Sequence, residues 1–224
     1  MADPGYYVVT PYNNEGLRTV DFRYWTVKPK GQFEVTWPEI GFGYGVNSRW
    51  TTELFVSYIG SSKFATRPSS LNWQNDFLLT QGDKPYDLAL HAQIVSQWDQ
   101  GRQGSVEFGP VFQTEIGQTQ MNANLFFERF YGLPQSVPVQ LKYQWQLRRP
   151  VFPGLHFGAQ GFGELGAWNN WEASDKQSHR AGPALFANFR LADKSVIKVQ
   201  AAYLLGEVNA QRADMFTLRA NYDF

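Results

Sequence analysis

Val139-Gln140-Leu141-Lys142-Tyr143-Gln144-Trp145-Gln146-Leu147-Arg148 sets an apolar residue against a polar one at every step. An unbroken two-residue period puts the apolar side chains on one face of an extended strand and the polar ones on the other. Helical spacing does not fit it. The same alternation runs through residues 86–98, with Tyr86, Leu88, Leu90, Ala92 and Ile94 opposite Asp87, His91, Gln93 and Gln97. It returns at the end of the chain, where Phe216, Leu218, Ala220, Tyr222 and Phe224 oppose Thr217, Arg219, Asn221 and Asp223.

Working outward from these stretches, strands are predicted near residues 16–27, 31–46, 49–61, 69–81, 84–98, 103–117, 120–131, 137–149, 154–168, 178–191, 194–208 and 213–224. Turn signals such as Val46-Asn47-Ser48 and Gln100-Gly101-Arg102 separate them. Pro38 and the Gly41, Gly43, Gly45 series predict a bulge in the second strand that swaps its faces. Strands of roughly twelve to sixteen residues are at least about twice the usual length of roughly five or six, which weighs against a soluble sandwich or lipocalin-type barrel. They are long enough to cross a bilayer at a tilt. The expected fold class is all-β: an antiparallel up-and-down transmembrane barrel of about twelve strands over residues 16–224, preceded by a periplasmic segment, residues 1–15. With both termini on one side, the longer gaps at 62–68 and 169–177 fall at the opposite end. Trp25, Trp73, Trp98 and Trp168 are then predicted at the outer ends of strands, and Tyr44, Trp50, Tyr86, Phe157 and Phe224 at the inner ends, as two interfacial girdles.

Composition agrees. The 224 residues include no Cys, which removes disulfide frameworks, Cys-based zinc sites and thiol nucleophiles together. Twenty Lys and Arg balance twenty Asp and Glu without a basic cluster, so nucleic acid is not an expected partner. No run of eighteen apolar residues exists to form a spanning helix. Met1-Ala2-Asp3-Pro4 has neither the basic start nor the apolar core of an export signal, and a cleavable signal is expected upstream in the natural gene. No cofactor is expected.

The closing stretch, Leu218-Arg219-Ala220-Asn221-Tyr222-Asp223-Phe224, resembles the terminal signal by which outer-membrane barrels are recognised for assembly, with Leu218, Ala220, Tyr222 and Phe224 as its apolar positions. The resemblance implies a bacterial outer-membrane location, contact with the barrel assembly machinery, and an outer surface facing lipid and lipopolysaccharide. Gly161-Phe162-Gly163-Glu164-Leu165-Gly166, then Gln177-Ser178-His179-Arg180-Ala181-Gly182-Pro183, then the closing strand, resemble barrels associated with transport in phenol and meta-pathway type degradation of aromatic compounds. That likeness covers only the last third of the chain and carries no residue roles.

If apolar faces meet lipid, the remaining faces line the lumen. Strands one to seven contribute Asp21, Glu34, Glu53, Asp76, Asp87, Glu107, Glu115 and Glu128 against Arg23. Strands eight to twelve contribute Lys142, Arg148, Arg180, Arg190, Lys198 and Arg219 against Glu164 and Asp223. An acidic wall opposite a basic one would orient dipolar solutes in a hydrated tube. In a closed tube the same groups would pair across it. Twelve strands lie between a side-chain-filled barrel and an open pore, and no long loop is available to fold inward. Arg23, Asp76, His91, Lys142 and Arg219 are predicted near mid-membrane. With Gln144, Gln160 and Glu164 they are the candidate constriction residues, or else one structural network.

A lipid-facing hydrolase is the rival reading, because such enzymes place Ser, His and a carboxylate or amide at the outer leaflet. Only His179 is suitably placed, and adjacent Ser178 must point to the opposite face of its strand. Glu172, Asp175 and His179 are too sparse for a hard-cation site. The expectation is therefore a monomeric passive channel for small polar or amphipathic solutes, not an enzyme and without a metal. A structural barrel with a filled lumen is the second alternative.

Overall fold

The computed structural model describes residues 6–11, 14–80, 82–98, 103–192, 194–208 and 211–224. Among them, long strands run in chain order as β1 (Arg18–Pro29), β2 (Val35–Gly45), β3 (Trp50–Ser61), β4 (Arg67–Leu78), β5 (Tyr86–Gln97), β6 (Gly104–Ile116), β7 (Thr119–Tyr131), β8 (Gln140–Phe152) and β9 (Leu155–Ala167). A two-residue β10 (Asn170–Trp171) precedes β11 (Ser178–Arg190), β12 (Val196–Val208) and β13 (Gln211–Asp223). Each long strand pairs antiparallel with its neighbours, β9 with β11, and β1 with β13, so twelve strands close a barrel and β10 only extends β9. Closure leaves no edge of these twelve strands unpaired, which lipid requires because it offers backbone groups no hydrogen bonds. At eleven to thirteen residues the strands have the length a tilted crossing needs.

Tight turns join strands at the end that carries the C-terminus. Gly117 (φ 63°) and Gly154 (φ 78°) supply the left-handed residue that short hairpins there demand. The added β10 hairpin was missed in the sequence because two residues carry no periodicity.

Parity decides which side chains meet lipid. Phe22, Ile40, Phe42, Leu54, Leu71, Trp73, Leu90, Ile94, Phe108, Leu185, Leu205 and Phe216 all stand exposed on the outer face. Such a continuous apolar surface suits lipid and would be a liability in water. Trp73, Trp98, Trp168, Tyr44, Tyr86, Phe157 and Phe224 are exposed as the girdles require. Trp25 is not among them: only 1% exposed, it shares parity with Asp21 and Arg23 and points into the lumen.

The expected bulge in β2 is also absent. Pairing of β2 with β1 and with β3 keeps one register, and the irregularity falls instead in β3 at Ser57/Tyr58. The glycine series has a different use. Gly41 and Gly43 face the lumen, where a Cβ on Gly41 would lie 2.1 Å from the Phe55 ring and one on Gly43 would lie 2.9 Å from Glu53. They form a trough in which β3 lays those two side chains. Glu39, rather than Glu34, is the acidic residue β2 sends inward; Glu34 precedes the strand and is exposed. Because Phe55 is also capped by Arg23 at 3.8 Å, its ring has no room to yield. Gly41→Val is expected to cost about 1–3 kcal/mol through overpacking, read as a lower urea midpoint for the folded barrel in lipid vesicles; an unchanged midpoint would refute this packing account.

On the outer face the reverse device occurs. Gly161 and Gly163 of β9 lie beneath the Trp145 and Tyr143 rings of β8, aromatic cover for glycines that would otherwise leave gaps in the wall.

Candidate functional site

Tyr6-Tyr7-Val8-Val9 is an apolar quartet ahead of the first strand, and its side chains are all buried. Residues 6–11, expected from the sequence to belong to a periplasmic segment, lie inside the barrel and reach its wall on several sides. Tyr6 packs on Phe162 of β9 with ring centroids 5.6 Å apart, and the Arg180 guanidinium of β11 sits 4.2 Å above its ring. Tyr7 turns toward β1, β4 and β5: Gln74 Nε2 donates to its hydroxyl at 2.5 Å, and that hydroxyl donates to Gln93 at 3.5 Å. Val9 is held by its backbone. Its N–H donates to Gln144 Oε1 of β8 at 3.1 Å, and its carbonyl accepts from Asn124 Nδ2 of β7 at 2.8 Å.

Around this segment the charged side chains form groups. Arg23 is the centre of the first: Nε donates to Asp21 at 2.8 Å, Nη1 to Glu39 at 3.2 Å and to Gln74 at 3.1 Å, and Nη2 lies 3.8 Å from Glu53. Its guanidinium is sandwiched between the rings of Tyr7 (3.6 Å) and Phe55 (3.8 Å). Asp21 also accepts from Arg219, 2.8 Å away. Glu39 is further satisfied by Ser57 and by Asn72 Nδ2, the latter at 2.6 Å. Buried charge is tolerable only with partners of this kind.

In the second group Lys142 of β8 reaches Glu107 at 2.9 Å and Glu128 at 2.5 Å. His91 Nδ1 lies 2.7 Å from Asp76, with its ring against Phe126. Elsewhere Arg180 pairs with Glu164, Lys198 with Asp223 at 2.7 Å, and Gln160 donates to Thr217 at 3.0 Å while accepting from Gln146. The eight residues singled out in the sequence therefore all point inward, but they do not form one ring. Glu39, Gln74, Asn124 and the whole 6–11 segment escaped sequence reading. The Tyr6–Val9 run was the available signal, an apolar stretch with no strand partner to cover it.

Where acidic and basic walls adjoin, at β13/β1 and β7/β8, their charges pair: Asp21 with Arg219, and Glu107 and Glu128 with Lys142. Away from those seams, charges of both signs line a cavity of about 390 Å³ at the end carrying the C-terminus: Glu53, Asp76 and Asp223 with Arg148, Lys198 and Arg219, together with Val8, Val9 and Thr10 of the inserted segment. Toward the opposite end the interior becomes apolar, with Trp25, Val27, Trp37, Leu204 and Met215 buried in it.

Ser178 and His179 diverge as strand geometry demands. Ser178 is buried on the lumen side, whereas His179 is exposed on the outer face, its Nδ1 2.8 Å from the Tyr143 hydroxyl and its Nε2 2.9 Å from Gln177. Both ring nitrogens are thus engaged. Glu172, Asp175 and His179 are not gathered: among the described residues no three His, Cys, Asp or Glu side chains are grouped to hold a metal ion.

No protein-family model matches the chain, and no curated protein matches it by sequence. Solved structures do. An outer-membrane channel from Pseudomonas putida F1 superposes with a TM-score of 0.66 at 15% identity, each chain covered over 100% of its length. The translocator domain of the autotransporter NalP from Neisseria meningitidis gives 0.51 at 11% identity, covering 95% of this chain and 90% of its own. A bacterial polysaccharide outer-membrane secretin also gives 0.51, at 7% identity, with 95% and 99% covered. At these identities the likeness establishes the fold, that of bacterial outer-membrane β-barrels.

Proposed function

We propose that this protein is a monomeric passive channel of the bacterial outer membrane for small polar or amphipathic solutes, held in a closed state by its own residues 6–11. The observation that carries the reading is the inserted segment itself. A barrel that served only as a scaffold could fill its lumen with wall side chains, as smaller barrels do. Here the polar wall encloses a cavity, and what crosses the lumen beside it is a stretch of chain ahead of the first strand, held by hydrogen bonds and ring stacking and free of any strand pairing. Ordering such a segment opposes its own docking by roughly 1–2 kcal/mol per residue, which offsets part of what its contacts contribute and lowers the cost of an undocked, open state.

Orientation follows the usual barrel plan, with both termini toward the periplasm. Phe216, Leu218, Ala220 and Tyr222 lie on the outer face of β13, and exposed Phe224 follows it with its ring stacked on that of Tyr222 at 5.3 Å. That arrangement supports recognition by the barrel assembly machinery and contact with lipid and lipopolysaccharide. No hydrolase reading is favoured, since Ser178 and His179 stand on opposite faces.

Ion currents through single refolded molecules in a planar bilayer test the channel reading. Discrete steps are expected, and Lys198→Gln should shift their selectivity toward cations, because it removes a half-exposed positive charge at the cavity without setting a second carboxylate against buried Asp223. A bilayer that stays silent with correctly folded protein, for the parent and for a chain lacking the inserted segment alike, would overturn the proposal.

A further inference from the structure

We infer that the cavity at the termini-bearing end of the lumen is a binding site for a small zwitterion, its ammonium toward Glu53 and Asp76 and its carboxylate toward Lys198, Arg148 and Arg219. The inference rests on the channel reading only for its biological sense; the site itself rests on the arrangement of charge.

Arg23 presents little charge to the cavity, because it is 1% exposed and enclosed by Asp21, Glu39 and Glu53. Glu53 meets Arg23 only at 3.8 Å and retains some exposure, and Asp76 carries a single ring-nitrogen contact on one oxygen, from His91. These two carboxylates project from adjacent strands, β3 and β4. β8 and β12 lie well round the barrel from them, and β13 lies nearer, beside β1. Lys198 is half-exposed although paired with Asp223, which Thr19 also holds at 2.8 Å. Arg219 uses Nε and Nη2 on Asp21 and lines the cavity as well.

A lone anion in this space would have Glu53 and Asp76 facing it, and a lone cation would have three basic side chains. A molecule carrying both charges satisfies both walls, and the field between them would orient it. About 390 Å³ is at the small end of the range for ligand pockets, which suits one amino-acid-sized solute. Amide side chains at the same surface, Gln200 and Asn221 among them, supply further hydrogen bonds.

The test uses the full chain in lipid nanodiscs, with γ-aminobutyrate, acetate and ethylammonium as probes and saturation-transfer NMR as the readout. Saturable binding of γ-aminobutyrate is expected, with acetate and ethylammonium each at least about tenfold weaker, the loss of one charged contact. Glu53→Gln and Lys198→Gln should each weaken γ-aminobutyrate by about tenfold; Lys198 is exposed enough that its replacement leaves folding intact, checked by circular dichroism. Equal binding of all three probes, no binding of any, or variants that bind like the parent would each overturn the site. Channel currents measured on the same preparation separate the two claims. Currents without zwitterion binding refute the site alone, whereas binding without currents from the parent or the truncated chain refutes the channel and leaves the site standing.

Discussion

A chain lacking residues 1–11 is expected to fold into the same barrel and to conduct severalfold more than the parent in a planar bilayer. Among the removed residues, the described ones, 6–11, contribute no strand: β1 begins at Arg18, and Asn14, whose carbonyl accepts the Leu17 N–H, is retained. What is lost is the bridge across the lumen, from Tyr6 on Phe162 and Arg180, through Tyr7 on Gln74 and Gln93, to Val9 on Gln144 and Asn124. All of those wall groups except Phe162 are polar, so water can take up the hydrogen bonds the segment leaves, and a hydrated path replaces a packed one. Tyr7→Ala should move conductance the same way by a smaller factor, since Tyr6 and Val9 keep their anchors. Conductance unchanged by the truncation would mean that the segment does not obstruct the ion path.

Arg23→Met is expected to be the most damaging single substitution, by roughly 3–5 kcal/mol, the scale for removing one partner from a buried charge cluster. Asp21, Glu39 and Glu53 would be left around an apolar side chain, and among the described residues only Asp21 is paired with a second cation, Arg219. Stacking on Tyr7 and Phe55 would go too, each worth about 0.5–2 kcal/mol. Urea unfolding in lipid vesicles measures the loss. Adding Glu39→Gln to the variant should recover part of it, because an amide removes one uncompensated charge while still accepting from Ser57. A variant as stable as the parent, or no recovery in the double variant, would show that the cluster does not act as an electrostatic unit.

Much of this was legible in the sequence for one reason: a strand's faces follow from a period of two, which is a local property. Residues 86–98 and 139–148 show which side chains face lipid and which face inward, and the inward-pointing sites Asp76, His91, Lys142, Gln144, Gln160, Glu164 and Arg219 follow from that parity alone. Trp25 illustrates the same rule violated: placing it in an aromatic girdle overrode its parity with Asp21 and Arg23, and the structure restores the parity. The glycines of β2 suggest a local bulge in the sequence, but their function lies in a neighbour, since the space they open is filled from β3.

By itself, then, the sequence determined an all-β membrane barrel, its number of spanning strands and its lipid face. Tertiary structure decided which charges neutralise one another and which confront a cavity, because that depends on which strands become neighbours when β13 meets β1. It also decided the fate of residues 6–11. No periodicity announces a segment that buries itself in a lumen, since the partners that cover Tyr6, Tyr7 and Val9 are distant in the chain and come together only when the barrel closes.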